Sequence, residues 1–265
     1  MQNPRGQSGV QEVNGISSRE WELRVQLAAA YRMIDHFGWS ELIWTHTTVR
    51  VPGVDDHFLI NPYGFRFDEV RASNLVKVDH AGSIIGDQNQ EINPAGFVIH
   101  SAIHMARPDV QCVMHTHTVA GMAVAALREG LLPIGMYSLG YFERVAYHDF
   151  EGPSIDLDER RRLAENIGDK NVLILRSHGL LTCGATVAQA FVRMYRLERA
   201  CQVQLAAQAT GGQLIVPPRV VCELSAECSD DFLSTTGGEG YSRNPNPEFD
   251  ALMRLMDRKD PSYRE

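Results

Sequence analysis

The chain has no long apolar run, no CxxC pair and no excess of basic residues, and each absence removes a class of function. A membrane-spanning helix needs about 20 consecutive apolar residues, and no such run occurs, so no membrane partner is expected. Lys and Arg number 25 against 33 Asp and Glu, for a formal net charge of −8. That balance leaves no basic stripe for nucleic acid; even "ERRRLAEN" has acidic neighbours and reads as a solvated helix face. The five cysteines are scattered and odd in number. They read as buried free thiols in a reducing compartment. The N-terminus is polar, with no basic segment leading into an apolar one, which points to the cytoplasm. GxSxG, GxGxxG and the phosphate-binding P-loop are all missing, and "GGEG" lacks the strand–turn–helix setting of a phosphate loop. No internal repeat or low-complexity tract is present.

What the chain does contain is an alternation of helical and strand patterns typical of an α/β fold. Residues 1–16 read as a flexible tail. Ser17 and Glu20 then offer a capping box for the helical run "WELRVQLAAAYRMIDHF", which stops at Gly38. "ELIWTHTTVRV" and "HFLINP" read as strands, and "NLVKVDHAGSIIG" as a hairpin around Ala81-Gly82. Asn93 with Pro94 opens the helix "PAGFVIHSAIHMA". "VQCVMHTH" is a strand, followed by a small-residue helix. Asp156 and Glu159 start another short helix, and "NVLILR" is a buried strand. Thr186 and Gln189 form a second capping box and start the longest helix, closed by Gly211-Gly212. One domain is thus expected over 17–212. Residues 213–265 form a C-terminal arm, loose around Pro217-Pro218 and "TTGGEG", and a short helix. That helix carries Phe249, Leu252, Met253 and Met256 on one face, available to a neighbouring subunit. Hairpins interleaved with helices predict a mostly antiparallel sheet covered on both faces.

The chemistry concentrates in histidine. A strand projects residues i and i+2 to the same face, so His115 and His117 converge about 7 Å apart along the backbone. His178 follows the strand "NVLILR" in a strand-end turn, where functional side chains collect. Three imidazoles with an open position describe a catalytic zinc site, and the set also suits manganese, iron or cobalt. His100 and His104 stand four residues apart on a helix, without the glutamate of a zinc-protease motif, and read as packing residues, with His100 able to line the cleft.

The order of these pieces resembles the class II aldolase/adducin N-terminal domain family. "FLINPYGF", "LVKVD", "HSAIHMARPDVQCVMHTHT", "LLPIGMY" and "VLILRSHGLLTCG" carry the resemblance, from about Trp21 to Ala209. It implies a three-layer α/β/α sandwich with a mostly antiparallel central sheet, and a homotetramer with active sites between subunits. It also implies a zinc ion on His115, His117 and His178. The family's catalytic tyrosine falls near Tyr137, with Tyr141 as the alternative. Asn61, Gly64, His46 and His100 fall where substrate is held. The departures are specific. Fuculose-type aldolases carry Ser-Ser-Glu where this chain has Pro94-Ala95-Gly96, and a glycine-asparagine pair where it has Thr45-His46. The acid/base glutamate and the phosphate-holding side chains are therefore replaced, leaving Glu91 as the candidate catalytic carboxylate. The wording around His100 is closest to the adducin head, a module not known as an enzyme.

Three functions follow as expectations. The first is a metal-dependent aldolase-type carbon–carbon lyase acting on an unphosphorylated hydroxy- or keto-acid or an aldehyde. The second is a decarboxylase of the same fold, or an iron-dependent oxygenase. A decarboxylation needs no base to start, so the missing glutamate hurts it less. The third is a non-catalytic adducin-head-like binding module. The chain lacks the long basic tail on which adducin's cytoskeletal role rests, which favours an enzyme.

Overall fold

The computed structural model describes residues 12–13, 16–54, 56–86, 89–152, 158–234 and 246–265. A two-residue pairing of β1 (Glu12–Val13) with β2 (Ile16–Ser17) leads into α1 (Ser18–His36). Ser17 caps α1 by accepting from the Glu20 amide at 3.2 Å. The reciprocal half of the expected capping box is absent. The Glu20 carboxylate instead takes Arg24 at 3.0 Å and Lys77 at 2.7 Å, tying the helix to the sheet edge.

The main sheet contains β3 (His46–Arg50), β4 (His57–Ile60), β5 (Val76–Asp79), β6 (Cys112–Thr116), β7 (Val145–His148), β8 (Val172–Leu175) and β9 (Gly179–Gly184). Their order across the sheet is β5-β4-β3-β6-β9-β8-β7. Every pairing is antiparallel except β7 with β8. The sheet is thus mostly antiparallel, as expected.

The alternation along each strand sorts side chains into two cores. On one face Cys112, Met114, Ile174 and Leu180 pack with α1 and α6 (Val187–Ala209). On the other, Val113, Leu173, Leu175 and Leu181 pack with α2 (Pro94–Ala106) and α5 (Glu159–Ile167). These are the three layers. Helix α5 starts at Glu159 after Asp158; Asp156, expected to share in opening it, lies outside the described residues. Thr186 caps α6 by accepting from Gln189, whose side chain reaches back to the Ala185 amide.

Two expectations about the C-terminal region are corrected. The stretch read as a loose arm contains the sixteen-residue helix α7 (Arg219–Ser234). Pro217-Pro218, read as a loop signal, stands just ahead of its first turn, where proline is tolerated. Cys222 and Ala226, one helical turn apart, bury one side of it. The "TTGGEG" bend and the start of "NPNP" lie outside the described residues. The last helix, α8 (Pro247–Lys259), packs on its own chain: Phe249 and Met256 join the α1/α6 core, with the Phe249 ring 5.9 Å from that of Phe191. The following turn is also docked, with Tyr263 fully buried and the Ala72 amide donating to its carbonyl at 2.9 Å. Among the described residues no helix is long and apolar enough to cross a membrane.

Candidate metal centre

Strand β6 ends at Thr116, so His115 sits on the last stretch of sheet and His117 just beyond it, before α3 (Val119–Ala125) begins at its cap Thr118. The Thr118 hydroxyl accepts from the Gly121 amide and also bonds the buried Glu198 carboxylate of α6, which anchors the turn behind His117. His178 arrives from the end of β8 through Ser177, a non-glycine residue with φ of 54°. Backbone in that region is costly and recurs at functional sites. The same holds for Thr45, φ 68°, directly before His46.

One candidate ligand atom from each of His115, His117 and His178 can be chosen so that all lie within 4.8 Å of one another. The His115 ring puts Nδ1 2.9 Å from the Leu180 carbonyl, which can only accept, so Nδ1 carries the proton. Its Nε2 is left as a lone pair and lies 2.8 Å from Nε2 of His117. A ring nitrogen fixed by a carbonyl on its far side is the usual support of a metal-ligating histidine. Gly179 makes the approach possible: a Cβ there would meet the Thr116 carbonyl oxygen at 2.5 Å, His117 Cδ2 at 3.1 Å and His115 Cε1 at 3.2 Å. Burial holds all three imidazoles neutral. His178 is pushed down to about 4, His115 well below its ordinary value, and His117 is lowered despite the opposing charge of Glu41. Neutral, oriented imidazoles are the form that binds metal, so this donor set fits a divalent ion.

His46 stands opposite His115 in the β3–β6 register, its ring centroid 5.3 Å away. Its Nδ1 lies 2.9 Å from Nε2 of His100 on α2. The imidazole fills the space in front of Gly96. A Cβ added there would fall 2.5 Å from His46 Cδ2, 2.8 Å from Cγ and 2.9 Å from Nε2. The histidine thus occupies the direction in which a side chain at 96 would point.

The other sequence candidates lie elsewhere. Tyr137, on the four-residue α4 (Met136–Leu139), lines a cleft with Ser225 and Ser229 of α7, and none of the three imidazoles lines that cleft. Tyr141 is buried and donates to the Arg193 carbonyl at 2.8 Å, a packing role. Glu91 is exposed in the loop before α2. Asn61 is buried with its side-chain oxygen 2.8 Å from the Tyr31 hydroxyl, and Gly64 is an exposed turn residue with φ of 89°. Thr48 and His104 were not read as site residues, yet they continue the hydrogen-bond chain that starts at His46. The i, i+4 spacing of His100 and His104 was the available signal.

Residues 25–205 match the class II aldolase and adducin N-terminal domain. Among solved structures, an aldolase II superfamily protein from Pseudomonas syringae superimposes with a TM-score of 0.87 at 48% identity, covering 95% of this chain and 98% of that one. The L-fuculose 1-phosphate aldolase from Glaciozyma antarctica PI12 gives 0.79 at 32% identity, covering 99% and 97%. Rat alpha-adducin is 44% identical over 245 residues, which are 89% of this chain and 33% of that protein. With that extent of match and the fold in common, the chain belongs to the class II aldolase and adducin N-terminal domain family.

Proposed function

We propose that the protein is a metal-dependent carbon–carbon lyase of the aldolase type, acting on an unphosphorylated hydroxy- or keto-acid or an aldehyde. His115, His117 and His178 would hold one divalent ion, zinc first among the candidates, with manganese, iron or cobalt as alternatives. The observation that carries the reading is the convergence of three neutral imidazoles within 4.8 Å, with His115 already oriented by the Leu180 carbonyl. When bound, the ion supplies a Lewis acid that draws electron density from a carbonyl. The chain's own residues do the rest: Gly96 leaves room, His46 fills that room with a polar ring, and His100 fixes the ring. We further propose a homotetramer in the cytoplasm, in which Tyr137 serves a neighbouring copy's site. Asn61 and Gly64 would line the substrate side, and Glu91 is kept as the spare carboxylate near α2.

The identity to an L-fuculose 1-phosphate aldolase favours the lyase class. Gly96 and its neighbours argue against the phosphate, because a dianion needs donors aimed at it and Pro94 has no amide hydrogen. A decarboxylase on the same scaffold is the second enzymatic reading, since that bond cleavage needs no initial base. The 44% identity to alpha-adducin supports a third, a binding module without turnover. Elemental analysis of purified protein, followed by assays for pyruvate and carbon dioxide release over a keto-acid panel with fuculose 1-phosphate alongside, separates them. Efficient turnover of the sugar phosphate would overturn the substrate class. Stoichiometric metal with no turnover on any substrate would favour the binding module.

A further inference from the structure

On the α2 face of the sheet, a line of buried polar groups runs from the metal centre along β3. His46 Nδ1 lies 2.9 Å from His100 Nε2, His100 Nδ1 lies 2.8 Å from the Thr48 hydroxyl, and that hydroxyl lies 2.8 Å from His104 Nε2. His46, Thr48, His100 and His104 are all at most 3% exposed. The far end stops beside a cleft of about 680 Å³ lined by Arg50, His80, His104 and Met105. There the Phe58 ring stacks on His104 and Arg50 donates to its carbonyl at 2.5 Å.

Proton counting restricts this line to three states. Three neutral imidazoles and one hydroxyl carry four protons, and the three hydrogen bonds use one each. The hydroxyl can donate to one of its two partners, in which case all the bonds point the same way, or accept from both. The fourth proton is then on Nε2 of His46, on Nδ1 of His104, or on the hydroxyl itself; in the last two states His46 Nδ1 donates to His100. Any other arrangement leaves a charge or two facing lone pairs in the interior, which burial penalises. At the His104 end, Nδ1 has no hydrogen-bond partner among the described residues, so nothing there fixes the fourth proton. At the other end, a cation held by the three imidazoles would favour a lone pair on Nε2 of His46. The state with the fourth proton on His46 is therefore the disfavoured one.

We propose that His100, Thr48 and His104 are positioning residues that hold His46 as its Nδ1-protonated tautomer, presenting the Nε2 lone pair as the hydrogen-bond acceptor for a substrate hydroxyl at the metal centre. The inference deepens the lyase reading and rests on it for the identity of the hydroxyl. It gives the site an acceptor where Gly96 supplies none. It also explains why the ring is tied on the side away from that lone pair.

The test is solid-state NMR of the full chain labelled with ¹⁵N at histidine, with resonances assigned through His46→Gln and His100→Gln. The unmodified protein should show His46 protonated on Nδ1 and bare on Nε2. Thr48→Ser should preserve that pattern, whereas Thr48→Val should shift the His46 and His100 nitrogens while leaving metal content per chain unchanged. A His46 protonated on Nε2 in the unmodified protein, or a Thr48→Val protein with unaltered His46 and His100 signals, would overturn the proposal. Should Thr48→Val not fold, the tautomer of the unmodified protein still decides. Elemental analysis of the same sample reports separately on the metal, so failure of the lyase reading is not mistaken for failure of this one.

Discussion

A methyl group added to Gly96 would collide with the His46 ring. Gly96→Ala should destabilise the protein by about 1–3 kcal/mol, the usual cost of overpacking. Combining it with His46→Gly should recover a measurable part of that loss, because the two changes share one space. Chemical denaturation of the two single variants and the double variant measures the coupling; strict additivity would show that the ring yields freely. The clash also bears on Gly96→Glu. Inserting the glutamate of fuculose-type relatives into this background should fail to confer sugar-phosphate turnover unless position 46 is made small as well. The three candidate ligand histidines give a third outcome. His115→Ala with His117→Ala should abolish stoichiometric metal, read by elemental analysis after dialysis against chelator. A full equivalent retained would mean that the ion is held elsewhere.

At the scale of elements, β3 and α2 form the support for the site, and the support is pH-sensitive. Burial holds His46 down to about 3 and His104 to about 3, and His100 well below its ordinary value. In the unfolded chain each titrates near 6.5. The folded state therefore binds fewer protons, so the stabilisation is complete above about pH 6.5 and is lost as pH falls from there toward 3. Each histidine contributes as much as about 1.4 kcal/mol per pH unit across that window. Urea midpoints measured with chelator present should fall between pH 7.5 and pH 5, and a flat profile would contradict the burial of this trio. The strand pairing here was partly legible beforehand. The apolar runs in "VQCVMHTH" and "NVLILR" marked β6 and β8, and Asn93-Pro94 marked the start of α2. Helix α7 was missed because Pro217-Pro218 and the glycines after it drew the whole stretch into one loop. Among its described side chains the buried ones are Cys222 and Ala226, too faint a stripe to read.

For the whole molecule, the exposed apolar residues are unevenly spread. Val119, Met136, Ile215 and Val220 are each at least 69% exposed and cluster in sequence around α3, α4 and the start of α7. Large exposed apolar side chains are candidates for an interface. The homotetramer proposed above should appear in light scattering at micromolar concentration as a mass near four times the 29.6 kDa chain. A Val220→Asp, Leu224→Asp variant should shift it toward smaller species. A monomer for the unmodified protein would remove Tyr137 from any shared site. The α8 face, expected to meet a neighbour, is instead occupied by the chain's own α1 and α6, because Phe249 and Met256 complete that core.

The sequence by itself determined the layers and singled out His115, His117 and His178, whose ligand atoms the fold brings within 4.8 Å of one another. Local rules govern both: strand alternation places His115 beside His117, a strand-end turn delivers His178, and helix caps fix where α2 and α6 begin. The tertiary structure alone decided what surrounds them. His46 meets His115 only through the β3–β6 register, and it meets His100 across 54 residues of chain. No local pattern encodes a hydrogen bond between a strand and a helix that distant. The pairing of a histidine at 46 with a glycine at 96 is therefore invisible along the chain and becomes a single packed contact once the sheet forms.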